Sequence, residues 1–465
     1  MIEGFEPYSS MKPSGCSWLG DIPSHWSMRR NGGLFARRVE YGTPGLPILE
    51  VSLKTGVRVR NMDGTGRKQA MSDQGKYRCA RRGDIAYNSM RMWQGAVGVS
   101  PTDGLISPAY VVAKPLASVV SGYYASLFKT PMFMKEVIDW SRGIVMDRNR
   151  LYWDQFKQIA VPIFDSDEQA AIVRFLDHAN RTIVDFIRSK RKLIGLLNDQ
   201  KQAIIHRAVT RGLDPHVPLK PSGIPWLGDI PQHWEVSSLR MRYSVELGKM
   251  LDAKKITGRH LVPYLRNRDV QWDKIHVDDL PLMDISLVEF PRYTVSKGDL
   301  LVCEGGQVGR CAFWNEELPV CGFQKALHRI RASSMRRDFP RFFFYQMQLA
   351  AGLGIFAADG NENTIAHLTC EKLRSHRFAF PPHSEQEVVA KYLDAELQTA
   401  NTAIARTERE IALMQEYRTR LTADVVTGKL DVRAAAASLP ANTEQVAVAP
   451  DTDGDDQDPD EDADA

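Results

Sequence analysis

The chain has 465 residues, 43% of them apolar and 25% charged, enough for several ordinary domains, each burying its own core. The net charge is +3, but nine of the 57 acidic residues lie in 451–465 and leave the preceding 450 residues at +12, a footprint suited to a polyanionic partner. No apolar run long enough for a membrane-spanning helix occurs. The six cysteines are scattered without zinc-ligand spacing; with no signal-peptide pattern at the start, a reducing cytoplasm is expected rather than a disulfide framework or a metal site.

The chain opens with FEPYSSMKPSG at Phe5 to Gly15, running into PSGCSWLGDIPSHW at Pro13 to Trp26. A stretch of about 140 residues follows, rich in glycine, proline and aromatics. It holds β-type runs such as Leu46 to Leu53, which predict a mixed α/β domain. Within it, RRGDIAYNSMRMWQGAVG (Arg81 to Gly98) sets a polar loop after a Gly-Asp turn. There Asn88, Arg91, Trp93 and Gln94 are candidate DNA contacts, because Arg bonds guanine and Asn or Gln bonds adenine in the major groove; Trp93 as core and Arg91 as a solvated charge are equally compatible. A second candidate loop is DRNR at Asp147 to Arg150, with Arg148, Asn149 and Arg150, whose plain alternative is a solvated turn.

From Asp167, Ile172, Leu176, Ala179, Ile183, Ile187, Ile194 and Leu197 recur at spacings of three, four or seven. This predicts a long amphipathic helix. The chain then repeats itself. LDPHVPLKPSG at Leu213 to Gly223 echoes the opening segment, and PSGIPWLGDIPQHW at Pro221 to Trp234 matches the first copy at eleven of fourteen positions.

Its own mixed stretch carries SKGDLLVCEGGQVGR at Ser296 to Arg310, matched to the first mainly through glycines and the Gly-Asp turn, with Gln307 and Arg310 as candidate readers. GNEN offers Asn361 and Asn363, equally good turn formers. A second helix follows, with Val389, Leu393, Ala400, Ile404, Ile411 and Met414 placed 217 residues after Ile172, Leu176, Ile183, Ile187, Ile194 and Leu197, and Leu421 beyond them. The polar Lys190 and Thr407 interrupt these seams, as in a coiled coil.

A duplication of this kind is circular in character. If the opening segment packs at the end of the second helix as Leu213 to Gly223 follows the first, the chain closes into a pseudo-twofold α+β object with antiparallel helices. The predicted division is 1–165 and 213–382 as mixed α/β domains, 166–212 and 383–433 as helical spacers, and 434–465 as a disordered acidic tail.

The two PSG…HW segments, the Gly83-Asp84 and Gly298-Asp299 turns, and the VPIFDSDEQ and FPPHSEQ lead-ins to the helices resemble the specificity subunits of type I restriction-modification systems. The likeness runs from Phe5 to Arg433. It implies two target-recognition domains, each reading one half of an asymmetric bipartite DNA site. It also implies a helical coiled coil that sets their spacing and docks two methyltransferase subunits through Ile172, Leu176, Ile183, Ile187, Val389, Leu393, Ile404 and Ile411. For cleavage, endonuclease and translocase subunits would join.

Catalytic motifs are missing: the chain has no Asn/Asp-Pro-Pro-aromatic tetrad, no GxxxxGK[ST] loop and no Glu-x-Lys. The expectation is therefore a non-catalytic DNA-binding subunit without metal or cofactor of its own, S-adenosylmethionine and ATP belonging to partner subunits. A coiled-coil scaffold joining two protein-binding modules is the alternative.

Overall fold

A computed structural model of the chain describes residues 6–42, 45–60, 74–143, 149–251, 258–356 and 367–440. Its residues divide into two compact units, Met1–Lys190 with Arg409–Ala465, and Arg191–Glu408. Each unit thus takes part of both long helices, Ser166–Arg211 and His383–Val426.

In the first unit a short antiparallel hairpin (Met11–Pro13 with Asp21–Pro23) comes first, and Ser27–Arg30 pairs with Ala160–Ile163. Between them lies an antiparallel sheet in the order Phe35–Arg37, Tyr110–Pro115, Ile85–Asn88, Val97–Val99. A second sheet, of four strands, contains a parallel pair, Gly104–Ile106 with Ile48–Ser52.

The central strands read as unbroken apolar runs because both faces are covered. Ile85, Tyr87, Val111 and Ala113 face a core with Tyr123, Tyr124, Leu127 and Phe128 of the helix Ser121–Phe128. The alternate residues Ala86, Tyr110 and Val112 join Leu49, Val51, Val57 and Ile106 of the second sheet. A period of two thus sends successive side chains to two cores.

The second unit repeats this plan with different residues. Its hairpin is Leu219–Pro221 with Asp229–Pro231, and Glu235–Ser238 pairs with Arg377–Phe380. Its antiparallel sheet runs Tyr243–Leu247, Leu327–Ala332, Leu300–Cys303, Cys311–Phe313, beside a smaller sheet whose parallel pair is Leu261–Leu265 with Gly322–Phe323. Leu300, Val302, Cys311 and Ile330 face the core under the helix Pro340–Gly352, while Leu301, Cys303, Ala312 and Leu327 face the other side.

The helices pack inside each unit. Ile172 and Leu176, near the start of the first helix, share a core with Leu421, Val425 and Val426 at the end of the second. In the other unit Ile205 and Val209 join Val389 and Leu393. Both pairings join the start of one helix to the end of the other, the antiparallel arrangement expected. Lys190, a polar interruption in the seam, forms an ion pair with Glu410 at 2.7 Å; Thr407, its counterpart 217 residues on, is buried and bonds Ala403 O of its own helix.

The closure expected at the chain's ends is present. Asp431 N–H donates to Glu6 O at 2.9 Å, and Tyr8 is buried with Leu430 and Val432. One expectation is corrected: residues from 434 do not all belong to a disordered tail. Arg433–Ser438 form a helix in which Ala436 is fully buried in the first unit's core, small side chains allowing that approach. The acidic stretch 451–465 lies outside the described residues. Among the described residues no helix is long and apolar enough to cross a membrane.

Candidate nucleic-acid interface

The residues shared by the two copies meet at one place in each unit. His25 Nε2 and Trp26 Nε1 lie 2.8 and 3.1 Å from the carboxylate oxygens of Glu168, in the first turn of the first long helix. His233 and Trp234 hold Glu385 in the same way, at 2.7 and 3.0 Å. Both indoles are buried, Trp26 at 0% and Trp234 at 1% exposure. The carboxylate also sits at the positive end of its helix, where negative charge is favoured.

The next residue is glutamine in both copies, fully buried and bonded at both ends of its amide. Gln169 accepts from Val120 N–H and donates to Ser118 O and Phe164 O. Gln386 accepts from Phe339 N–H and donates to Arg337 O and Pro381 O. The Glu-Gln pair therefore ties each helix start both to the PSG…HW segment and to the backbone just before the helix that covers the sheet.

A glycine of positive φ completes each clasp: Gly428 (75°) against Pro23 and Trp26, and Gly212 (70°) against Trp234 and Glu385. Gly428 follows the second helix and the Trp26 segment precedes the first, so this clasp joins the two ends of the chain. The first clasp has one extra donor, Tyr8, whose hydroxyl bonds Glu168 at 2.7 Å. Burial, then that bond, pushes the Tyr8 hydroxyl far above its usual range. His216, at the matching position of the second copy, is exposed.

The Gly-Asp turns are equally structural. Asp84, buried, takes Arg38 at 2.5 and 3.1 Å and the N–H of Arg81 at 2.8 Å. Asp299, also buried, takes Arg331 at 2.6 and 2.7 Å and the N–H of Ser296 at 2.7 Å. Arg38 directly follows the strand Phe35–Arg37, whereas Arg331 lies within Leu327–Ala332, so the same need is met by divergent sequence.

The candidate readers separate on this frame. Asn88 is buried, its Oδ1 accepting from Met90 N–H at 3.0 Å within the turn; Trp93 is half-buried against the core with its indole N–H on Met90 O at 2.9 Å. In this structure Asn88 serves as a turn former, because that loop folds on itself. Arg91 is half-buried and Gln94 exposed on the same loop. Arg150 is exposed and Asn149 half-buried, while Arg148 lies outside the described residues.

In the second unit Gln307 is exposed, whereas Arg310 turns inward to bond the backbone and side-chain oxygens of Asn267, both at 3.0 Å. That bonding makes Arg310, half-buried, a brace of its loop. Asn361 and Asn363 lie outside the described residues.

The helix positions offered for partner docking mostly face inward. Ile172, Leu176, Ile183, Ile187, Val389 and Leu393 are buried within the chain, and Ile404 and Ile411 are half-buried. Apolar residues at seam positions close the chain's own helix contacts, which leaves the opposite faces exposed. There Leu196 and Leu413, again 217 residues apart, are 57% and 58% exposed.

No family model matches the chain. Over 148 residues, 32% of this chain and 33% of the relative, it is 25% identical to the type I restriction enzyme MjaVIII specificity subunit of Methanocaldococcus jannaschii, so the match spans about a third of that curated protein. Among solved structures it is similar to a chain from a study of complex assembly and conformational transition of the type I R-M system. That likeness has a TM-score of 0.63 at 13% identity, covering 88% of this chain and 99% of the other. The HsdS subunit from Thermoanaerobacter tengcongensis aligns with a TM-score of 0.45 at 14% identity over 87% of this chain and 96% of its own. Over about a third of its length the chain is thus similar in sequence to a type I restriction enzyme specificity subunit, and over most of its length it is similar in fold to a chain from the type I R-M system.

Proposed function

We propose that this chain is the non-catalytic DNA sequence-recognition subunit of a type I restriction-modification complex. Each unit reads one half of an asymmetric bipartite site. The two long helices, shared by both units, set the spacing of the halves, and their outward faces around Leu196 and Leu413 dock two methyltransferase subunits. S-adenosylmethionine and ATP belong to the partners, which carry out modification and, where present, cleavage in the cytoplasm.

One observation carries this reading: a matched clasp in each unit holds sheets of the same topology whose exposed residues differ. A frame kept alike with contents made different is what reading two unlike half-sites in one assembly requires. The charge of +12 over residues 1–450 supplies the sequence-independent attraction to phosphate.

The test is selection from a randomised duplex pool by the full chain co-purified with its methyltransferase subunits. Enrichment of one bipartite, asymmetric sequence, with affinity falling as salt rises, is expected. Retention of partner proteins with no sequence enriched would replace this reading by the coiled-coil scaffold.

A further inference from the structure

The first unit contains a cleft of about 520 Å³ between the end of the helix Pro131–Trp140 and the short helix Trp153–Phe156. Arginines of this unit are held in different ways, by carboxylates or by neutral oxygens. Arg38, Arg58, Arg81 and Arg433 are paired with carboxylates. Arg142, in the cleft wall, is instead held by the amide oxygen of Gln155, at 3.1 Å from Nε and 3.0 Å from Nη2 with the amide turned so that its oxygen faces the guanidinium. Arg30, at the rim, donates from Nη1 to Gln158 Oε1 at 2.9 Å. An amide orients a guanidinium without neutralising it. Of the cleft's two carboxylates, Asp154 is bonded by Lys157 at 2.7 Å and also feels the charge of Arg142, and Asp139 lies in the same lining.

The groups are also held in place. Paired backbone bonds of 3.0 Å join Arg142 to Arg150. Trp140 is 38% exposed, and its indole N–H donates to Glu136 at 2.7 Å, which fixes the ring while leaving surface open. Gln158 has its oxygen engaged by Arg30, and its NH₂ group has no hydrogen-bond partner among the described residues. A fixed guanidinium, a fixed amide donor and a flat apolar ring, in a cleft whose lining sets Arg142 and Lys157 against Asp139 and Asp154, match the acceptors and methyl groups of base edges.

We propose that this cleft is where the first unit reads its half-site. Arg142 and Gln158 address base edges, Trp140 packs on a thymine methyl or sugar, and Arg30 and Arg150 contact phosphates. The inference rests on the DNA-recognition reading above, and the experiment separates the two. The full chain, co-purified with its methyltransferase subunits, is taken through duplex selection as wild type, as Arg142→Gln, and as Gln158→Ala, with thermal melting as the check on folding.

The expected result is that each variant melts as wild type, keeps the sequence of one half-site, and loses discrimination by roughly tenfold or more at one or two positions of the other half. Unchanged preference at both halves, or an equal weakening at both, overturns the assignment of the cleft while leaving DNA recognition intact. Loss of an acidic protein partner with DNA selection unaltered likewise overturns it. A wild-type chain that selects no sequence overturns the DNA-recognition reading, and this inference with it.

Discussion

Trp26 and Glu168 are 142 residues apart and meet at 3.1 Å through an indole N–H and a carboxylate oxygen, a contact that Trp234 and Glu385 repeat at 3.0 Å. The carboxylates differ in setting. Glu168 is 8% exposed and takes three donors, Tyr8, His25 and Trp26, whereas Glu385 is 29% exposed and takes two. Leaving buried donors unpaired costs about 1–3 kcal/mol. Glu168→Ala is therefore expected to lower stability by roughly 2–3 kcal/mol and Glu385→Ala by about 1–2 kcal/mol. Hydrogen exchange on the full chain checks this: protection should fall in the unit that carries the substitution. Equal loss in both units would contradict the clasp's local role.

The glycines of the two clasps differ in the same direction. An added Cβ at Gly428 would lie 2.4 Å from Pro23 Cδ, a ring that cannot move aside, while at Gly212 the nearest atom is Glu385 Oε1 at 3.2 Å. Both positions carry the positive φ that disfavours alanine by roughly 1–2 kcal/mol; overpacking adds about 1–3 kcal/mol at Gly428. Gly428→Ala should thus lower the melting temperature clearly more than Gly212→Ala.

His328 lies fully buried in the second unit, with Nε2 donating to Leu368 O at 2.6 Å. Burial holds its pKa below the usual histidine value, and Arg374 pushes the same way, against the opposing influence of the Leu368 bond and Glu304. The unfolded chain takes a proton near pH 6.5 while the folded ring resists it, so the unfolded state binds more protons below that pH. Stability of the second unit should therefore fall as pH drops below about 6.5 and be flat above it, as far as this residue is concerned. Urea denaturation at pH 5.5 and 7.5 checks the sign, and His328→Gln should reduce the difference.

Leu196 and Leu413 are the exposed counterparts of the inward seam. Changing either to Asp should leave the chain's own melting within about 0.5 kcal/mol, as for surface sites generally. Each change should weaken association with methyltransferase subunits by roughly 1–3 kcal/mol if these leucines anchor the docking faces. Calorimetric titration of the variants against the partner subunit measures this, and unchanged affinity for both would move the docking face elsewhere.

Much of the frame was legible in the sequence because it was written twice. The repeated His-Trp and Glu-Gln pairs marked both halves of the clasp, although only the fold showed that they touch. The seam period placed both long helices, and the echo of Phe5–Gly15 in Leu213–Gly223 anticipated the closure of Glu6 on Asp431. The readers were less legible. Residue type alone gives Asn88 and Arg310 the chemistry of base contacts, yet their loops fold back and use those groups internally. Arg30, Arg142 and Gln158 occur in one copy only and lie far apart in sequence, so no repeat or local motif signalled them. Helix periodicity likewise identified the buried seam but not which outward residues a partner would meet.

The pattern of DNA modification in a cell carrying this chain together with its methyltransferase subunits tests DNA recognition most directly. Genome-wide mapping of methylated bases should find modification at a single bipartite sequence with two different halves and a fixed gap. Replacing residues 27–163 by the corresponding part of another such chain should change one half and leave the other. Methylation unaffected by deleting this chain, or a swap that alters both halves or neither, would contradict it.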